Sequence, residues 1–265
     1  MSEYPSVQLR DARGPYDDLA SIPAQSWAWE FVRRSDRIRT AWAALKPAWE
    51  EAESDGIRIV RADSADASEL APLLWASSLD QGAFDATVTW DPQASGRVLH
   101  AVSVPLRFGY GGVVLDLDQL EVQKTIVTVH GEQQLTFRDG AHSLQIAISG
   151  ARIPDTVALF LDTGEDLSAS QLRMLACLRT LRQTGSLEAR FFPPHPRARR
   201  LMAVLKALDG YRAGRSHREI ALELFGEERV ARDWGDPGEH MRDAVRRAIV
   251  SGIALMERGY RSLLR

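Results

Sequence analysis

The sequence predicts an α+β protein: an N-terminal helical segment, a central antiparallel β-sheet and a C-terminal helical domain carrying a helix-turn-helix pattern. Three observations predict it. Apolar residues recur at the helical period from Pro23 to Glu53, at a period of two between Phe84 and Phe160, and at the helical period again after Asp162. The corresponding divisions are a Trp-rich helical segment at 1–54, a β-rich domain at 55–165 and a helical domain at 166–265.

The chain has 265 residues, 45% hydrophobic and 26% charged, which is ordinary globular composition and excludes disordered and fibrous classes. The lone Cys177 excludes a disulfide framework and a cysteine-based zinc cluster, and it fits a reducing compartment. No apolar run reaches the ~18–20 residues that span a bilayer. The start, Met1-Ser2-Glu3-Tyr4-Pro5, lacks the basic and apolar regions of a signal peptide. A cytoplasmic protein with no membrane partner is the expectation.

Residues 1–15, with two prolines and no periodicity, are expected to be mobile. In the helical segment, Trp27 and Phe31, then Ile38, Trp42, Leu45 and Trp49, fall on one face, with Ser26 as a candidate N-cap and Pro47 as a break. Four of the seven tryptophans lie between 27 and 49. A core role for them outweighs a partner-docking face. Residues 55–83 read as a linker plus one helix around Leu70–Ser78. Strands are expected at Val98–Val104, Gly112–Leu117, Lys124–His130, Gln134–Phe137 and Leu144–Ile148, with turns at Gly131 and at Asp139-Gly140. A helix follows over Ser170–Thr184, stopped by Gly185. The Phe191-Phe192-Pro193-Pro194-His195-Pro196 stretch then reads as a hinge.

Enzyme signatures are missing from the sequence, which has no phosphate-binding loop, zinc-protease helix or nucleophile elbow. Gly109-Tyr110-Gly111-Gly112 reads as a strand connection. The histidines are scattered, and Asp116, Asp118 and Glu121 read as a solvated face. The expectation is a protein that is not an enzyme and has no metal or cofactor.

The net charge of −3 hides a segregated pattern. Residues 190–265 hold 16 Lys+Arg against 10 Asp+Glu, and residues 1–189 hold 17 against 26. All but one of those 16 cations are arginine, whose fork suits phosphate and guanine. Arg197–Arg212 reads as one helix. Ser216 and Glu219 form a capping box for the next, Ser216–Phe225, and Gly226 allows a turn. A short piece, Glu227–Trp234, precedes Gly235-Asp236-Pro237-Gly238 and the last helix, Glu239 to about Arg258. A capped short helix followed by one with basic residues near its start fits a helix-turn-helix on double-stranded DNA. Arg242 and Arg246 share a face that could enter a groove, while Arg215, His217 and Arg218 suit phosphate contacts. Arg212, His240 and Arg247 complete the candidate DNA-binding set. A helical bundle with a solvated arginine face is the competing reading, and the interval from Gly226 to Gly238 is long for a tight turn.

Four blocks carry a family resemblance. They are Arg200-Leu201-Met202-Ala203-Val204-Leu205-Lys206-Ala207-Leu208-Asp209-Gly210, Ser216-His217-Arg218-Glu219-Ile220-Ala221-Leu222-Glu223-Leu224-Phe225-Gly226, Arg242-Asp243-Ala244-Val245-Arg246-Arg247, and Gly252 to Leu264. Together they resemble the DNA-binding domain of RovC-type transcription factors of type VI secretion, shared with FseA-type activators of mobile integrative elements. Upstream, Tyr16-Asp17-Asp18-Leu19 and Trp27 to Arg34 resemble the N-terminal regulator-like segment of the same activators. The resemblance implies a transcriptional activator on promoter DNA, with RNA polymerase or an antiactivator protein as possible partners. It also implies a homo-oligomer, since the RovC type forms a hexamer. QseM-type antiactivators use this domain on a protein instead, so a protein-binding antiactivator or scaffold is the alternative. The Gly235-to-His240 lead-in departs from the family's usual approach, which leaves the start of the last helix open.

Overall fold

Residues 16–62, 69–105, 113–114, 117, 120–153, 157–161, 167–236 and 238–265 are described in a computed structural model. The expectations for residues 1–15, Gly109–Gly112, Asp116 and Asp118 lie outside them. A 3-10 turn, Asp17–Ser21, leads into α1, Ala24–Val32, and α2, Asp36–Leu45. The helical pattern read as continuous to Glu53 is thus two helices with a break at 33–35, and it ends early. Lys46–Ala48 form a 3-10 turn around Pro47, and strand β1 occupies Glu50–Ser54. Ser26 does not cap α1; the N-cap position is Pro23, and the Ser26 hydroxyl donates to the Ala141 carbonyl at 2.8 Å.

Strand β2, Ile57–Arg61, follows a turn in which Asp55 and Gly56 both have positive φ. Strands β3, Leu73–Ala76, and β4, Val88–Trp90, pair as a small separate sheet. The helix expected around Leu70–Ser78 is therefore strand β3 with its flanking turns. Leu73, Trp75 and Ala76 are buried there, and burial on both faces removes the alternation that marks a half-exposed strand.

The main sheet adds β5 (Leu99–Pro105), β6 (Val113–Val114), β7 (Gln123–Val129), β8 (Glu132–Asp139), β9 (His142–Gly150) and β10 (Val157–Leu161). Its order is β1-β2-β7-β8-β9-β5-β10-β6. The turns at His130-Gly131 and Gly140 have positive φ where the sequence places them, and they fix the antiparallel β7–β8 and β8–β9 registers. The sheet is mostly antiparallel, with two pairings that correct the fully antiparallel expectation: β2–β7 and β5–β9 are parallel. Tight turns dictate local pairing only. The partners of β2 and β5 are distant in sequence, and neither turn chemistry nor alternation specifies their direction.

Two cores result. One face of the sheet, with Leu135, Phe137, Leu144 and Ile146, packs against α3, Ala169–Thr184, through Met174, Cys177, Leu178 and Leu181. Ser168 and Gln171 cap α3 with a capping box, and Gly185 in the left-handed region ends it. The second core gathers Trp27, Trp29, Phe31 and Ile38 with Trp75 and Trp90, and with Leu201, Leu205, Tyr260 and Leu264 from the C-terminal part. The tryptophans at 27, 29 and 49 are buried, as a core role requires. Polar groups seat β4 on the sheet: the Gln145 side-chain amide donates to the Trp90 carbonyl at 2.6 Å, and its oxygen accepts from the Trp90 amide at 3.0 Å.

Candidate nucleic-acid interface

Four helices form the C-terminal unit: α4, Ala198–Arg212; α5, His217–Phe225; α6, Glu227–Asp233; and α7, His240–Glu257. Ala207, Ile220, Ala221, Val230, Met241, Val245 and Ile249 are its shared core. The small residues are placed by close approach. A Cβ on Gly210 of α4 would stand 2.8 Å from Ile220 Cγ1 of α5, and one on Gly252 of α7 would stand 2.8 Å from Leu208 Cβ of α4.

The capping box of α5 forms as its sequence dictates. Ser216 Oγ accepts from the Glu219 amide at 3.3 Å, and the Glu219 carboxylate accepts from the Ser216 amide at 2.8 Å. Those bonds hold the Glu219 carboxyl below the usual carboxylate range, so the cap persists until the pH falls through that lowered value. Gly226, at φ +82°, passes the chain directly into α6, whose Val230 is buried in the shared core. The long interval between α5 and α7 is thus filled by a packed helix.

The structure distributes the candidate residues unevenly. His217 and Arg218 are exposed on the first turn of α5, and His240 is exposed on the first turn of α7. Arg247 is exposed and has no ion pair among the described residues. Arg215 pairs with Glu223 at 2.8 Å. Arg242 pairs with Glu239 at 2.9 Å and lies over the Trp234 ring, 5.5 Å from its centroid. Arg246 reaches Asp243 at 2.9 Å and Glu239 at 3.4 Å. Arg212 stands apart, donating to Asp36 of α2 at 2.6 Å and lying beside Met256.

Glu239 occupies the N-cap position of α7 with φ +49°, a left-handed conformation that is rare for a residue with a side chain. From there its carboxylate reaches both Arg242 and Arg246. The sequence signal was present: Glu239/Arg242 and Asp243/Arg246 are both i,i+3 pairs. Surface pairs of this kind contribute about 1 kcal/mol or less, so a phosphate can displace the carboxylates.

The N-terminal segment is tied to the same unit. Arg34 donates to both carboxylate oxygens of Asp209 on α4, at 2.6 and 2.9 Å, and pairs with buried Glu30 at 2.7 Å. The Tyr16 hydroxyl donates to Asp209 at 2.8 Å, and burial together with that carboxylate pushes its pKa upward. Glu30 also accepts from the Ala83 amide at 2.7 Å. The Tyr16 and Trp27–Arg34 blocks therefore meet α4 directly.

This part of the chain is thus a capped helix, a packed connector and an arginine-bearing helix around one small core. Residues 160–265 match the RovC DNA-binding domain family, described as a type VI secretion system (T6SS) transcription factor, DNA-binding domain. The chain carries a DNA-binding domain of the RovC type and is a transcriptional regulator with DNA as a partner. Comparison with curated proteins and with solved structures finds no match. Among the described residues no helix is long and apolar enough to cross a membrane, and no group of three or more His, Cys, Asp and Glu is placed to hold a metal ion.

Proposed function

We propose that this regulator is a transcriptional activator, not an enzyme, that binds promoter DNA through a helix-turn-helix formed by α5 and α7 and acts as a homo-oligomer. The observation that carries the DNA-reading part is spatial. The α5 start and the first half of α7 pack around one core, so His217 and Arg218 join Arg242, Arg246 and Arg247 on a single small helical unit. In this reading α7 presents Arg242 and Arg246 to base edges, and the α5 start holds the phosphate backbone. Arg212 serves the fold through Asp36 and is not assigned to DNA. The activator and oligomer parts rest on the resemblance to RovC-type and FseA-type regulators. RNA polymerase or an antiactivator is the further protein partner, and a cytoplasmic location follows from the role.

A protein-binding antiactivator is the second reading. It is favoured by the prior engagement of Arg242 and Arg246 with Glu239 and Asp243, and by Val250, 65% exposed on α7. Double alanine substitution at Arg242 and Arg246 separates the two. A DNA reader loses promoter affinity by more than about tenfold, and the parent protein's affinity falls steeply with salt. A variant that shifts the promoter fragment as well as the parent rejects this assignment.

A further inference from the structure

Helix α3 lies within the matched DNA-binding region, yet it packs on the sheet and not in the α4–α7 core. Its sequence holds three arginines and no Asp or Glu. Arg173 and Arg179 are exposed on it, and neither has a carboxylate partner among the described residues. Beside it runs the 3-10 turn Ala189–Phe191, and an open cavity of about 520 Å³ between them is lined by Arg179, Arg190 and Phe191. The Arg190 guanidinium lies 4.9 Å from the Phe191 ring centroid. Arg97 reaches the same residue, donating from Nη2 to the Phe191 carbonyl at 3.3 Å, while its Nε is buried without an acceptor. Burial and the neighbouring Arg173 charge both disfavour the Arg97 cation. Among the described residues, Glu188 is the one carboxylate that pairs with any of the four, reaching Arg190 at 2.9 Å.

Arg179 and Arg190 stand beside Phe191, Arg97 bonds its carbonyl, and Arg173 lies near enough to disfavour the Arg97 charge, yet one carboxylate among the described residues answers all four. A polyanion covering them supplies the missing counter-charge, and guanidinium forks match phosphate oxygens. We infer that the exposed Arg173, Arg179 and Arg190, backed by buried Arg97, form a second contact surface for duplex DNA, gripping phosphates away from the segment read by α5 and α7. The inference rests on the DNA-binding reading of the matched domain. Such contacts add affinity and hold the register of the protein on the duplex without reading sequence.

The test uses the full chain and a mixed-sequence duplex of about 40 bp, with affinity measured by fluorescence anisotropy from about 50 to about 200 mM salt. Arg173→Gln/Arg179→Gln is expected to weaken binding about tenfold at low salt and to flatten the log–log salt slope by about two, one phosphate contact per arginine. Arg173→Glu/Arg179→Glu is expected to weaken it further. Far-UV circular dichroism verifies the fold, and if the glutamate pair unfolds, the glutamine pair decides. Parental affinity and slope in the glutamine pair, with binding lost in Arg242→Ala/Arg246→Ala, overturn this surface and leave the α5–α7 reading standing. A parent that binds no duplex rejects both. Unchanged DNA binding with a smaller mass by light scattering gives the surface to a protein partner and also overturns the inference.

Discussion

Asp209 accepts three hydrogen bonds from the N-terminal part of the chain, two from Arg34 and one from Tyr16, while sitting on a helix of the DNA-binding domain. The Arg34 side chain is only 14% exposed, so its charge depends on Asp209 and Glu30. Removing one partner of a buried pair is costlier than the pair's net worth, because a charge is left poorly compensated. Glu30 remains and Asp209 is partly solvated, so Asp209→Ala is expected to cost about 2 kcal/mol, below the range for a fully buried pair. Urea unfolding measures it, and an unchanged midpoint would show that this link contributes nothing. The pairing itself was not legible in the sequence. Glu30 and Arg34 are four apart at the end of α1 and could be read as a surface pair, but Asp209 lies 175 residues from Arg34. By contrast, the local pairs Glu239/Arg242 and Asp243/Arg246 could have been read at sight, and they show why a count of arginines overstates the free charge on α7.

At the scale of elements, the α4–α7 contact is set by a glycine. Alanine at Gly252 would gain about 1 kcal/mol of helix propensity if space allowed. It does not, since the new Cβ would sit 2.8 Å from Leu208 Cβ and 3.2 Å from the Val204 carbonyl oxygen. The helices must separate, and overpacking of this kind costs about 1–3 kcal/mol. Gly252→Ala is therefore expected to lower stability by about 1–2 kcal/mol net, with a fall in thermal midpoint as the readout. A rise in the midpoint would contradict the close packing described. Elements with strong local signals were legible: α3, α5 and α7 from periodicity and stops, and the hairpin turns from Asp-Gly and His-Gly. Strand β3 was not, because burial on both faces leaves an apolar run that suits helix or strand. The parallel directions of β2 and β5 were not legible either, since no short turn constrains them. The Ser168/Gln171 capping box was legible in principle, through its S-x-x-Q spacing, and was missed.

Across the whole molecule, the three segments read from the sequence share their cores. The Trp-rich helices pack with β3, β4 and the C-terminal helices in one cluster, while α3 packs on the sheet. The tail Tyr260, Leu263 and Leu264 is buried beside Trp90, and the Leu264 carbonyl accepts from the Gly96 amide at 3.1 Å. The DNA-binding helices are therefore packed against the N-terminal segment through one shared apolar core. The charge is segregated along the chain, with 16 Lys+Arg against 10 Asp+Glu over residues 190–265 and 17 against 26 over residues 1–189, and the overall value of −3 is the sum of the two. The central claim is that the C-terminal helices place this protein on specific promoters. Genome-wide DNA occupancy of the tagged protein, beside its Arg242→Ala/Arg246→Ala variant, tests it most directly. Discrete peaks at promoters in the parent that vanish in the variant are the expected result. Occupancy indistinguishable from an untagged control, or peaks unchanged by the double substitution, would contradict it.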